Sequence, residues 1–337
     1  MSIEVVLYPK SATREQLQEH LASCGFQSSS HLWKWPEGSL HFYWFDAEDY
    51  KSITGVEATI FPPSPEIKAV RGECDWALHT RTSIAASPFD LDQQNTVIRT
   101  ARKKFGGYFI NDWYGKNRYT PVEKDRKGPI GRGICASYEF VKDKLEAVKF
   151  SLPQPAIQDL PEDENIKHLL TQQDPTRVLY NALVPFAVAA LEHFFGQTFR
   201  IFLHYDEKAQ KRLQEQSRKV EIQDVLAISA GYKTIEDIVA DWYSFQNIQS
   251  INVAFKDWFG IDLWKILRRK RKIGRRIVLL EKQFDNIIRF RHGVVHRFEF
   301  DLDLSREQIS EVLETAIVLV EAFIDYLEKE RNLKIRD

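Results

Sequence analysis

The period of hydrophobic positions changes along the chain. In the first part, short apolar runs and helical patterns take turns. Residues 3–8 (Ile-Glu-Val-Val-Leu-Tyr) predict a first strand, and 40–45 and 55–61 are β-branched or aromatic runs that predict two more. Residues 11–24 predict a helix with Ser11 as N-cap and Glu15 in its first turn. Residues 92–105 predict another, ended by Gly106-Gly107 in the manner of a C-cap. Strands and helices interleaved over residues 1–150 predict an α+β domain. After residue 174 the pattern is helical throughout. Asp174-Pro175 places a capping carboxylate before a proline at the first helical position. Val178, Leu179, Ala182, Leu183 and Phe186 recur at helical spacing, and Pro185 predicts a kink. Leu280, Phe284, Ile287, Ile288, Arg291 and Val295 predict a later helix. Ser305 and Gln308 form a capping box, opening a last helix whose buried face is Ile309, Val312, Leu313, Ala316, Leu319, Val320, Phe323 and Leu327. Residues 175–337 therefore predict an all-α helical bundle.

Between these halves, Pro153, Pro155 and Pro161 interrupt regular structure, and Asp159, Glu162, Asp163 and Glu164 add an acidic run. Proline can neither continue a helix nor donate to a ladder, so 151–174 predicts a linker. The 43% hydrophobic content over 337 residues is enough for sizeable cores and excludes a disordered chain. Lys plus Arg number 47 against 48 Asp plus Glu, so any nucleic-acid partner must be met by a local patch and not by bulk charge. Cys24, Cys74 and Cys135 are scattered without a C-x-x-C pair, which supports neither a disulfide framework nor a zinc ribbon and favours a reducing cytoplasm. Residues 1–16 lack a signal-peptide core, and the apolar stretch 184–191 falls short of the roughly 18 residues of a membrane span, so no membrane is expected.

Most chemical motifs are absent: no Walker loop, G-x-G-x-x-G, G-x-S-x-G or H-E-x-x-H occurs. Residues 126–133 (Arg-Lys-Gly-Pro-Ile-Gly-Arg-Gly) read as a surface loop able to meet an anion. Trp33, Trp35, Trp44, Trp76 and Trp113 could stack on bases, or could fill cores. The spacing of His79, Asp90 and Asp112 does not set them apart from ordinary polar residues.

The run 291–296 (Arg-His-Gly-Val-Val-His) is different. It places an arginine and a histidine on an apolar helix, where charged groups are normally paired or functional. On an ideal α-helix a spacing of five separates them by about 140°, flanking a groove. Arginine offers a fixed fork for phosphate and histidine exchanges a proton near neutral pH, the two functions that metal-free phosphodiester chemistry requires. Arg291-x4-His296, with a polar residue directly after the arginine, resembles the signature of HEPN domains, helical bundles that include many prokaryotic endoribonucleases. The earlier helix around 184–195 with Glu192, the segment Phe259-Gly-Ile-Asp262 and the closing amphipathic helix agree with that resemblance, which covers about residues 175–330. The N-terminal half resembles no family by its motifs.

The resemblance implies a cofactor-free endoribonuclease. His296 would transfer protons, Arg291 would clamp phosphate, His292 would assist, and Glu192 would be an acidic helper. It implies a homodimer through the C-terminal half with the cleft across its interface. The implied setting is prokaryotic antiviral defence or a toxin–antitoxin pair, residues 1–150 sensing a trigger, selecting RNA or binding an antitoxin. The basic run 268–276 (Arg268, Arg269, Lys270, Arg271, Lys272, Arg275, Arg276) reads equally as an RNA-backbone track or as a solvated face. Two alternatives stay open: a non-catalytic bundle that only dimerises or docks partners, and a metal site using His292 and His296 at i, i+4.

Overall fold

The computed structural model describes residues 1–30, 34–71, 74–157, 162–274 and 276–336. Trp33, Asp159, Pro161 and Arg275 lie outside them. The chain forms two compact units, Met1–Arg126 and Lys127–Asp337, and each is described by itself.

In the first unit the elements run β1 (Ser2–Tyr8), α1 (Arg14–Ser23), β2 (Gln27–Ser28), β3 (Leu40–Trp44), β4 (Val56–Phe61), α2 (Pro65–Arg71), β5 (Ala77–Ser83), α3 (Pro88–Phe105), β6 (Tyr108–Asn111) and β7 (Gly115–Lys116). The strands form an antiparallel sheet in the order β2-β3-β4-β5-β1-β6-β7. The segment β1-α1-β4-β5-α3-β6 is a split β-α-β arrangement, each crossover skipping one strand. Alternation decides which face is covered. Val5 and Leu7 of β1, Phe42, Ala58, Ile60 and Leu78 form a core with Leu17 and Leu21 of α1 and Val97, Ile98 and Ala101 of α3. The opposite face carries Glu4, Val6, Tyr8, His41, Tyr43, Glu57, Thr59, His79 and Arg81.

Local chemistry moves two predicted helix starts. Thr13 and Gln16 make a capping box, so α1 begins two residues later than a Ser11 cap would place it. Ser87 and Asp90 make another, so α3 begins before residue 92, and Gly106, at φ +68, ends it as expected. Asp90 is fully buried, and its Oδ2 accepts from the backbone N–H groups of Ile53, Thr54 and Ser87. It pins the start of α3 to the backbone at 53–54.

The second unit comprises α4 (Pro129–Phe150), α5 (Glu164–Gln173), α6 (Pro175–Tyr205), α7 (Glu207–Gln214), α8 (Ile222–Ser229), α9 (Ile235–Asp241), α10 (Ile248–Phe259), α11 (Leu263–Leu267), β8 (Lys270–Ile273), β9 (Arg276–Leu279), α12 (Leu280–His292), a π turn (Gly293–Arg297) and α13 (Arg306–Glu330). The compact units therefore divide at 126/127 and not at 150/151. Residues 129–133 open a helix and are no surface loop: Ile134, Tyr138, Val141 and Leu145 of α4 are buried in the helical core. A side chain at Gly131 would meet the Lys334 carbonyl, so the C-terminal segment closes against this helix.

α6 is the central helix of this core. Its 31 residues include an 18-residue window of mean hydropathy 1.5, long and apolar enough to cross a membrane by length and composition. Here that apolarity builds the bundle: Tyr180, Val184, Ala187, Val188, Leu191, Phe194, Phe195 and Phe199 are buried against α4, α12 and α13. The helix runs on through Pro185. Val178, Leu179, Ala182 and Phe186, expected to face the core, are exposed instead, because the neighbouring helices cover the adjacent stripe. α13 starts at its Ser305–Gln308 capping box and buries the predicted face, with Val312 only partly covered.

Candidate active site

Two helices and a π turn assemble the site. Leu280, Phe284 and Ile287 seat α12 in the core, and Arg291 extends that face, half-buried, one turn further on. The α-helix then gives way. From Gly293 the backbone widens into a π turn, in which the hydrogen bond reaches back five residues: the Phe298 N–H donates to the Gly293 carbonyl. Phe298 closes it in the left-handed region at φ +56, a costly conformation for a bulky side chain. Asn181 of α6 holds the loop beyond at two points, donating to the Asp301 carbonyl at 2.8 Å and accepting from its N–H at 2.9 Å. Arg177, one turn earlier, donates to the carbonyls of Asp303 and Leu304.

The widened turn corrects the expected 140° separation. Arg291 and His296 are brought together, with Arg291 Nη1 3.3 Å from His296 Nε2. A guanidinium has only donors, so in this contact Nε2 is the acceptor, its lone pair engaged by the Arg291 N–H. His292 joins the pair, its ring centroid 4.7 Å from that of His296. Both histidine side chains are exposed. Among the described residues no group of three or more His, Cys, Asp or Glu side chains is placed to hold a metal ion, so His292 and His296 lack a third ligand of those kinds.

Glu192 reaches the same place from α6, which packs against both α12 and the π turn. Partial burial raises its carboxyl above the ordinary value, and this outweighs the opposing pull of the Arg291 guanidinium and of a hydrogen bond from Gln246. The carboxylate thus lies within electrostatic reach of the arginine. Gln246, from the turn before α10, is a polar neighbour that sequence reasoning missed; no motif marks it, since its approach depends on the packing of separate helices.

The basic run caps α11 at Arg268 and continues into a β-hairpin. Lys270–Ile273 pairs with Arg276–Leu279, which turns Ile273 inward and leaves Lys270 and Lys272 exposed. Arg268 pairs with Glu281 at 3.3 Å, Arg271 with Asp325 at 2.7 Å, and Arg276 with Glu311. Arg269, Lys270 and Lys272 make no ion pair among the described residues, while Arg275 lies outside them. Of the run, then, only part is available to an external anion.

Residues 156–329, more than half of the chain, match the profile of one protein family, RiboL-PSP-HEPN. No curated protein and no solved structure matched the chain. The first unit lies outside the matched residues.

The contact between α6 and α12 yields a prediction. Replacing Arg291 by Gln removes the cation that lowers the Glu192 carboxyl, so its pKa should rise further. A carbon-detected NMR titration of glutamate-labelled protein reads this directly. An unchanged Glu192 would show that the guanidinium does not act on it.

Proposed function

The chain belongs to the RiboL-PSP-HEPN family, and on that premise we propose that it is a metal-independent endoribonuclease using Arg291, His296, His292 and Glu192. HEPN domains are often RNases, commonly bind RNA and commonly dimerise. The observation that carries the reading is the Arg291–His296 contact at 3.3 Å, with Glu192 within electrostatic reach of the arginine.

RNA supplies its own nucleophile in the 2′-hydroxyl. His296, with Nε2 as acceptor, takes that proton as general base; a second imidazole, His292 or a partner copy's, returns one to the leaving 5′-oxygen. Proton uptake at His296 ends its ability to accept from Arg291 and sets two cations side by side. The guanidinium is then released toward the pentavalent phosphorane, where negative charge gathers on non-bridging oxygens. Glu192 adds negative potential near Arg291. The products are a 2′,3′-cyclic phosphate and a 5′-hydroxyl end. The biological setting that fits such an activity is prokaryotic defence or a toxin–antitoxin pair in the cytoplasm.

Full-length protein, its His296→Ala and its Arg291→Ala variants, incubated with RNA in excess chelator, test the chemistry. Wild type should leave cyclic phosphates, and each variant should lose about 10²- to 10⁴-fold in rate with unchanged helicity. Cleavage that survives in His296→Ala, stops with chelator or leaves 5′-phosphate ends overturns the mechanism.

A homodimer completes this site in the proposed reading. Val295 (40% exposed), Phe298 (78%) and Phe300 (36%) lie beside the motif, an apolar patch a partner copy would cover. The full chain should have dimer mass at tens of micromolar, and Phe298→Asp should shift it toward monomer. A wild type that is strictly monomeric removes the composite cleft.

The free side chains of the hairpin would track the RNA backbone. Reversing charge at Arg269, Lys270 and Lys272 together should weaken RNA binding and flatten its salt dependence, by about 0.7 in log–log slope for each phosphate no longer neutralised. Equal affinity and slope would make the hairpin a solvated surface.

A further inference from the structure

An asparagine inside a core helix is costly unless its amide is fully paired. Asn181 of α6 is completely buried, and its amide is paired throughout. Nδ2 donates to the Arg177 carbonyl at 2.8 Å and to the Asp301 carbonyl at 2.8 Å, and Oδ1 accepts from the Asp301 N–H at 2.9 Å. The last two bonds grip one residue by both of its backbone groups, as a neighbouring strand would. They fix the direction of the chain at Asp301 as well as its place.

Asp301 lies three residues beyond Phe298, which ends the π turn. Three residues of chain span at most about 11 Å, so an anchor at Asp301 limits where that turn can end. Inside the turn, the Gly293 carbonyl accepts from the N–H groups of both Phe298 and Glu299, the latter at 3.1 Å. A return to α-helical register would move the chain beyond Gly293 by about one residue, which is about 1.5 Å of rise and about 100° of rotation. Hydrogen bonds at 2.8 and 2.9 Å cannot absorb such a shift. The same move would carry His296 away from Arg291, because a continuous α-helix sets the two about 140° apart.

We infer that Asn181 is a positioning residue for the Arg291–His296 pair: through Asp301 it holds the motif in the π register that brings the guanidinium to His296 Nε2. Arg177 supports the same loop through the Asp303 and Leu304 carbonyls, but it offers donors only and cannot grip a residue from both sides. The inference deepens the reading above and rests on Arg291 and His296 being its working pair.

The histidine tautomer reads this role without any cleavage. While Arg291 donates to Nε2, the neutral His296 ring carries its proton on Nδ1; a ring released to water favours the proton on Nε2. The test uses the full chain with isotope-labelled histidine, read by long-range nitrogen–proton NMR in mildly alkaline buffer, with His296 assigned by the signals lost in His296→Ala. Asn181→Leu, which keeps the shape of the side chain, and Asn181→Ala are compared with the parent. The parent should show the proton on Nδ1, and both variants should show it on Nε2. In RNA cleavage both should lose about 10²-fold in kcat with KM within about twofold. Leu203→Ala, a cavity elsewhere on the same helix, should lower Tm and leave the tautomer and kcat unchanged. An Nδ1 proton retained in a folded Asn181 variant overturns the inference, as does an Nε2 proton in the parent or a tautomer change in Leu203→Ala. Loss of helicity in both Asn181 variants overturns it too, since Asn181 then serves the fold as a whole. The nuclease reading fails separately: a parent that cuts no RNA sinks it while the tautomer change stands.

Discussion

Arg291 and His296 meet because the helix that carries both widens into a π turn between them. On a continuous α-helix a spacing of five would point the two side chains to different sides of a groove. The step from α12 into Gly293–Arg297 closes that angle and leaves Arg291 Nη1 within 3.3 Å of His296 Nε2. The turn is an energetic cost, visible in the left-handed backbone of Phe298, and the loop beyond it is tied to α6 by Asn181 and Arg177. Strain of this kind persists only where the surroundings over-determine it, and here they are four hydrogen bonds from a core helix.

α6 therefore has two roles. Its phenylalanines form the centre of the helical core, and its polar positions organise the chemistry, with Asn181 and Arg177 at one end and Glu192 toward the other. The two are linked by packing. Because α12 lies against the same helix through Leu280, Phe284 and Ile287, the half-buried end of α12 brings Arg291 within electrostatic reach of Glu192 without a dedicated connecting loop. Partial burial keeps the Glu192 carboxyl above its ordinary value even within reach of a guanidinium.

Charge is spent in the same selective way elsewhere. In the basic hairpin, Arg268, Arg271 and Arg276 are neutralised by carboxylates while Lys270 and Lys272 point outward. In the N-terminal sheet, Glu4 and Glu57 occupy Arg81 and His79, while the exposed Lys116 makes no ion pair among the described residues. A near-neutral chain can thus carry local cationic surfaces.

The features legible in the sequence were those set by nearby residues. Asp174-Pro175, Ser305 with Gln308, and Gly106 mark helix ends through hydrogen bonds and backbone freedom that need nothing beyond a few neighbours. The change from mixed to helical periodicity gave the two-part architecture, and the Arg291-x4-His296 spacing pointed to the family. Tertiary structure decided what depends on distant segments. It settled which stripe of α6 is covered, since Val178, Leu179 and Phe186 fit a helical face as well as the residues that are buried. It joined 129–150 to the helical unit, folded the basic run into a hairpin by pairing it with 276–279, and brought Gln246 to Glu192. The π turn belongs with these: helix propensity does not distinguish i→i+4 from i→i+5 at Gly293, and the clamp from α6 sits more than a hundred residues away in the chain.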